Sequence, residues 1–204
     1  MKRARLISKV EKILILTSFL LALASTFYGQ NTVSADDIHL TDMGRKAYTE
    51  LTVENQFSLG GTGISGETSS GEKNFDILLQ ELQSEMIFYR LATANSGAGG
   101  LYGLFGLKLL KSDKYSDAYI KFVKLPDQPT REYKLLGKYV GKIAGGAVER
   151  MDGCMLSWRA RADVAKEVNE GKFDFWIEVK LKSIAQKAEY DKKVLEQLSN
   201  TRKN

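Results

Sequence analysis

Apolar residues along most of the chain recur at three- and four-residue spacings, which predicts amphipathic helices. Thr41 is the expected N-cap of the first helix, and Ser69 with Glu72 has capping-box spacing before the second. The predicted helices cover residues 43–51, 75–82, 84–94, 101–111, 115–123, 161–169 and 173–198. We therefore expect a mainly α fold of several short packed helices, arranged like helical hairpins, with a long charged C-terminal helix.

The period changes after Pro126 and Pro129, which punctuate the middle of the chain. Residues 133–140 and 148–158 contain β-branched and aromatic side chains, and Gly145 and Gly146 lie between the two segments. This pattern predicts a small β element within the helical fold.

The predicted helix at 101–111 has an unusual composition, because Gly100, Gly103 and Gly106 recur every third residue among apolar side chains. Each glycine costs a helix about 1 kcal/mol relative to alanine. Close packing against a neighbouring backbone would offset that cost, so we interpret the segment as a buried core helix. A membrane-inserted segment is the alternative, although the uncharged run 91–107 is short for a span.

The last predicted helix has a charged face and an apolar face. We expect the apolar face to dock onto the domain, with a partner-binding helix as the alternative. Its apolar residues are Ile177, Leu181, Ile184, Ala188, Val194 and Leu198.

Residues 1–35 have the pattern of a signal peptide, with a basic start, an uncharged stretch at 13–29 and small residues before a cleavage point after Ala35. We therefore expect an exported protein whose mature chain begins at Asp36. Residues 36–57 are a polar lead-in, and residues 58–204 are a single mainly helical domain. If the signal is not cleaved, the same stretch anchors the domain to a membrane. The absence of glycosylation sequons is compatible with a bacterial origin.

Removal of the predicted signal changes the charge balance. Five of the 30 basic residues and one of the 25 acidic residues precede residue 36, so the net charge falls from +5 to +1. A nearly neutral chain lacks the clustered positive charge that nucleic acid binding requires, and no nucleic acid partner is expected.

The loop at 58–71 is rich in Gly, Ser and Thr, and Gly61, Gly63 and Gly66 have the spacing of a dinucleotide-binding loop. The helix begins only after Ser69, and no parallel-strand pattern follows, so no cofactor is expected. Gly61, Gly63, Gly66, Thr68 and Ser69 are instead candidates for binding a protein or small-molecule partner, because loops on a rigid scaffold often carry function.

Cys154 is the only cysteine and His39 the only histidine, so the soft ligand set of a zinc site is lacking and no metal is expected. A catalytic Cys154 would need a base within hydrogen-bond reach. We expect a buried structural thiol, because cysteine is among the most buried residue types. An intermolecular disulfide is a further alternative.

These patterns favour an exported, non-enzymatic binding or structural module that acts outside the cytoplasm. The alternatives are a secreted hydrolase with Cys154 as its nucleophile and a membrane-tethered interaction protein.

Overall fold

The computed structural model describes residues 38–62, 65–135 and 138–201, which belong to one compact unit. Helices dominate these residues, so the predicted mainly α class is confirmed. The signal-peptide prediction and Gly63 lie outside the described residues. Seven helices occur in the described ranges: α1 (Asp42–Val53), α2 (Ser70–Leu78), α3 (Ser84–Ala94), α4 (Ala98–Leu109), α5 (Tyr115–Lys124), α6 (Arg161–Asn169) and α7 (Asp174–Thr201).

The small β element is also confirmed, with more strands than predicted. Short strands β1 (Gln56–Phe57), β2 (Gly61–Thr62) and β3 (Glu67–Thr68) precede β4 (Arg131–Leu135), β5 (Lys138–Ile143), β6 (Ala147–Asp152) and β7 (Met155–Ala160). β1 lies parallel to β6, and β6 pairs antiparallel with β7. β2 pairs antiparallel with β3, and β4 with β5.

The predicted strand at 148–158 is a hairpin, because a tight turn interrupts it. Gly153 has a φ of +57°, a left-handed conformation that glycine adopts without strain. Asp152 consequently pairs with Met155, and the two-residue turn between them contains Cys154. The predicted strand at 133–140 likewise separates into β4 and β5.

The N-caps follow the prediction, with one difference. Thr41 Oγ1 accepts a hydrogen bond from the N–H of Gly44 at 3.0 Å, and Ser69 Oγ accepts from the N–H of Glu72 at 3.1 Å. The Glu72 carboxylate does not return to its own N-cap, as a full capping box requires. It accepts instead from the N–H of Gly60 at 2.7 Å.

Helix α4 is the centre of the core, as its composition predicted. Every residue of α4 is buried except Lys108. A Cβ on Gly103 would stand 2.6 Å from the carbonyl oxygen of Phe88 in α3, and one on Gly106 would stand 2.5 Å from the Phe88 ring. The glycines therefore allow α3 and α4 to approach more closely than any side chain would permit.

Helices α1 and α2 each contribute buried side chains to the core. Ala47 and Leu51 of α1 are buried, as are Phe75 and Leu78 of α2. The Tyr102 hydroxyl in α4 donates to the carbonyl of Ser58 at 2.8 Å and accepts from the N–H of Ser58 at 3.2 Å. Burial raises the pKa of Tyr102 to about 12, so the hydroxyl stays protonated and holds the strand–loop connection to the core.

A buried arginine joins α5 to α6. Arg161 donates from Nη1 to the carbonyl of Phe122 at 2.8 Å, from Nη2 to the carbonyl of Leu125, and from Nε to Asp127 at 2.9 Å. Its guanidinium satisfies carbonyl groups that the end of α5 leaves without intrahelical partners. Arg161 is therefore a structural residue.

Candidate functional site

The glycine-rich segment is a small hairpin beside the start of α2. Gly61 pairs with Thr68 across β2 and β3, while Gly66 has a φ of +65° and is exposed. A Cβ on Gly61 would stand 2.5 Å from the carbonyl oxygen of Gly66, whereas one on Gly66 would meet nothing within 4 Å. The described members of the predicted site thus lie together in the hairpin and its junction with α2, and their binding role remains a prediction.

An ionic cluster connects this hairpin segment to the C-terminal helix. Lys180 of α7 places Nζ 2.6 Å from Oε1 of Glu72 and 2.7 Å from both carboxylate oxygens of Asp76. Through its other oxygen Glu72 accepts from the N–H of Gly60, so one carboxylate joins loop, α2 and α7. The Trp176 ring occupies the space that a Cβ on Gly60 would need, with its nearest atom 2.0 Å away.

The cluster contains two carboxylates and a single ammonium group. Lys180 is only 9% exposed and Glu72 only 4%. Burial, together with the nearby charge of Glu72, raises the pKa of Asp76 above its usual value, while the hydrogen bonds and charge of Lys180 oppose that shift. Because both carboxylates contact its ammonium group, Lys180 is an ionic anchor that joins α7 to α2.

Beside the cluster, a groove of about 370 Å³ separates the end of α2 from α7. Leu79, Ile184 and Ala188 form apolar parts of its wall, and Lys187 and Asp191 add charged groups further along α7. Lys187 Nζ donates to Oε1 of Gln80 at 2.6 Å, across the groove. The groove is therefore lined by both apolar and charged side chains.

The apolar face of α7 differs from the prediction. Ile177 packs against the core, but Leu181 is 41% exposed and Ile184 is 43% exposed. Ala188 is also exposed, so the expectation that this whole face docks onto the domain is wrong for these positions. Opposite α7, the wall of the groove ends at Leu79 and Gln80. Helix α7 continues past these two residues.

Cys154 also differs from the prediction, because it is exposed in the β6–β7 turn. The expected buried position is wrong, since a two-residue hairpin turn at the end of two strands leaves this side chain open to solvent. The backbone N–H of His39 donates to Oε1 of Gln83, next to the start of α3. These contacts place His39 in the α2–α3 region rather than in the hairpin turn.

A second ionic cluster lies at the base of that hairpin. Oε1 of Glu167 in α6 lies 3.1 Å from Nη2 of Arg159 and 3.5 Å from Nζ of Lys172. Its other oxygen, Oε2, pairs with Arg150. Although burial raises the pKa of Glu167, the charges of Arg150, Arg159 and Lys172 lower it to a value below the usual one. A carboxylate held ionised by several cations is a poor general base. We therefore interpret this cluster as structural: its ion pairs attach the hairpin to α6.

Sequence reasoning missed Lys180 as the anchor of α7. One signal could have revealed it: Lys180 lies three residues after Ile177 and four before Ile184, on the apolar side of the helix. A lysine in that position needs a buried counter-charge. The identity of its partners, more than 100 residues earlier in the chain, has no local signal.

Within the described ranges, no group of three or more His, Cys, Asp or Glu side chains could hold a metal ion. None of the helices in the described part of the chain is both long enough and apolar enough to span a bilayer. Comparison with protein-family models, with curated proteins and with solved structures finds no match.

Proposed function

We propose that this chain is an exported, non-enzymatic binding or structural module that acts outside the cytoplasm. In this proposal the hairpin-like helical core is a scaffold, and the long charged helix α7 and the β-hairpins are its contact surfaces. The export component is supported by the basic, then uncharged, then small-residue pattern of residues 1–35.

One observation carries the binding role. Among the described residues, the charged groups of the two ionic clusters and Arg161 make structural contacts. Large apolar side chains, in contrast, are exposed on the β-hairpins and on α7. Lys180, Arg161 and Glu167 each have several partners within the fold. The exposed apolar side chains include Tyr139 and Val140 on β5, Met155, Leu156 and Trp158 on β7, and Leu181, Ile184 and Leu195 on α7. Exposed apolar side chains that adjoin on one strand or helix can form the patches that mark interaction surfaces, which is the basis of the proposed binding role.

The binding role is tested with a photo-reactive amino acid introduced at Leu156 on the exposed hairpin, in cells that export the protein. We expect a discrete cross-linked product from position 156. The same probe at Lys166, an exposed position of α6, is the matched control and should give none. Equal labelling at both positions, or none at either, would contradict a defined contact surface on the hairpin.

Export is tested by the intact mass of the protein isolated from cells. We expect a chain that begins at Asp36. A mass that retains Met1 or Lys2 would instead favour the membrane-tethered alternative.

The hydrolase alternative depends on Cys154 being a thiolate at neutral pH. It would be supported by an alkylation rate that stays constant between pH 8 and pH 6. A rate that still falls steeply with each unit of pH in that interval would remove the alternative, because no positioned base would then be activating the sulfur.

A further inference from the structure

The distal part of α7 is largely exposed, although Lys187 donates to Gln80 across the groove beside it. From Leu181 to Leu195 every residue is exposed except Val194, which is half-buried. Isolated helices of about 12–15 residues are marginal in water, because packing of an apolar face supplies most helical stability in proteins. The distal half of α7 therefore lacks the packed apolar face that would stabilise it.

Five residues form a narrow stripe along this distal half, which we call the seam: Leu181, Ile184, Ala188, Asp191 and Leu195. Their spacing of three, four, three and four residues is that of the a and d positions in a coiled coil. Leu195 is 67% exposed, so the seam is open at its far end. A second helix would cover it.

We infer that the seam is the interface of a homodimer, in which α7 of a second copy of this chain lies antiparallel along it. The inference concerns the identity of one partner and goes beyond the proposed function. It rests on α7 and the groove beside it, and it does not depend on export.

Asp191 decides the orientation of the two helices. In a parallel pair each Asp191 would face its own counterpart, and two carboxylates would be forced together in the seam. A single polar residue in such a seam commonly specifies orientation and register. The parallel arrangement is therefore disfavoured.

An antiparallel pair resolves that repulsion. A two-fold axis near residue 189 brings Lys187 of one copy beside Asp191 of the other, and the reverse contact follows from the symmetry. The same axis places Ile184 opposite Leu195 of the second copy, twice. The small side chain of Ala188 lies near the axis and lets the helices approach.

Lys187 is already on the correct side of α7 for this contact. Its Nζ is held by Gln80 at the rim of the groove, and Lys187 and Asp191 both line that groove. In a second copy, Asp191 and Lys187 supply the charges that complement Lys187 and Asp191 of the first. This charge complementarity favours a second copy as the partner over an unrelated protein.

The test is sedimentation equilibrium of the protein isolated from cells that produce the full chain. We expect the wild type to sediment as a dimer at micromolar concentrations. Lys187→Asp alone and Asp191→Lys alone should each weaken the dimer about tenfold or more, because each places like charges together. The double variant, with the two charges exchanged, should restore association.

Lys193→Asp is the matched control. Lys193 pairs with Glu189 outside the seam, and both side chains are exposed. Its substitution should leave the dimer unchanged. A wild-type protein that remains monomeric would overturn the inference, as would a dimer that both single substitutions leave intact. Failure of the double variant to recover would show that the contact is not between Lys187 and Asp191.

Discussion

Helices α4 and α7 reach stable helical structure by opposite routes. In α4 every residue but Lys108 is buried, and four of its 12 residues are glycines that give the helix poor intrinsic propensity. In α7 the residues are better helix formers, yet every residue from Leu181 to Leu195 except Val194 is exposed, and the distal half contacts the domain through Lys187 and Gln80. Packing therefore maintains α4, whereas α7 depends on its packed first turns, on the Lys180 cluster and on whatever covers its distal half.

The largest expected effect comes from removing that anchor. Lys180→Met leaves Glu72 buried without its counter-charge, and breaking such a pair costs about 3–5 kcal/mol in the free energy of unfolding. Lys182→Met, at an exposed position of the same helix, should change stability by about 0.5 kcal/mol or less. Denaturant unfolding at one fixed protein concentration measures both. Equal effects would show that the Lys180 cluster does not hold α7.

A single methyl group tests the packing of α4. Gly103→Ala improves helix propensity but drives a Cβ against the backbone of α3, and overpacking of this kind costs about 1–3 kcal/mol. Gly141→Ala is the control, because a Cβ at Gly141 would meet nothing within 4 Å. Thermal unfolding should show a clear loss for the first variant and almost none for the second. A stabilised Gly103→Ala would mean that α3 and α4 are not in close contact.

The anchor of α7 also predicts that stability depends on pH in the acidic range. The pKa of Asp76 is raised by its burial, so the folded state holds this proton more tightly than the unfolded state does. The stability that this provides is present below pH 3.8, the unfolded pKa, and is lost as the pH rises through the folded pKa.

Asp76→Asn keeps the pair of Lys180 with Glu72 and removes the second carboxylate. We expect the variant to be at least as stable as the wild type at pH 7. The gain in the free energy of unfolding should be less than about 1 kcal/mol, because Asp76 is partly exposed. Its advantage should shrink as the pH falls to 3. An advantage that grows at low pH would reverse the assigned sign of the shift.

The smallest effect is expected on the charged face of α7. Lys193 lies 2.8 Å from Glu189, and both side chains are about two-thirds exposed. Lys193→Ala should therefore change the melting temperature very little, consistent with about 0.5 kcal/mol or less for such a pair. A large loss would indicate that this face is covered.

The contrast between the two helices also marks how far the sequence could predict the fold. The close packing of α4 was predictable, because Gly100, Gly103 and Gly106 are tolerated in a helix only where another backbone approaches. The N-caps Thr41 and Ser69 were predictable for the same reason: their contacts are local. The second half of the capping box was not, because Gly60 and Lys180 compete for the Glu72 carboxylate.

The candidate sites were harder to predict than the helices. Apolar spacing shows which residues of α7 share a face, but it contains no information about what covers that face. The general tendency of cysteine to be buried was overridden at Cys154 by its position in a two-residue turn. The partners of Lys180 were invisible because they come from α2, more than 100 residues earlier in the chain.

Hydrogen exchange of the native protein at two protein concentrations tests the difference between α4 and α7 most directly. Amides of α4 should exchange only through global unfolding, with the same protection at both concentrations. Amides at residues 185–195 of α7 should be weakly protected in dilute protein and become more protected as the concentration rises. Strong protection of residues 185–195 that does not change with concentration would contradict the account, because it would mean that the chain itself already covers the distal half of α7.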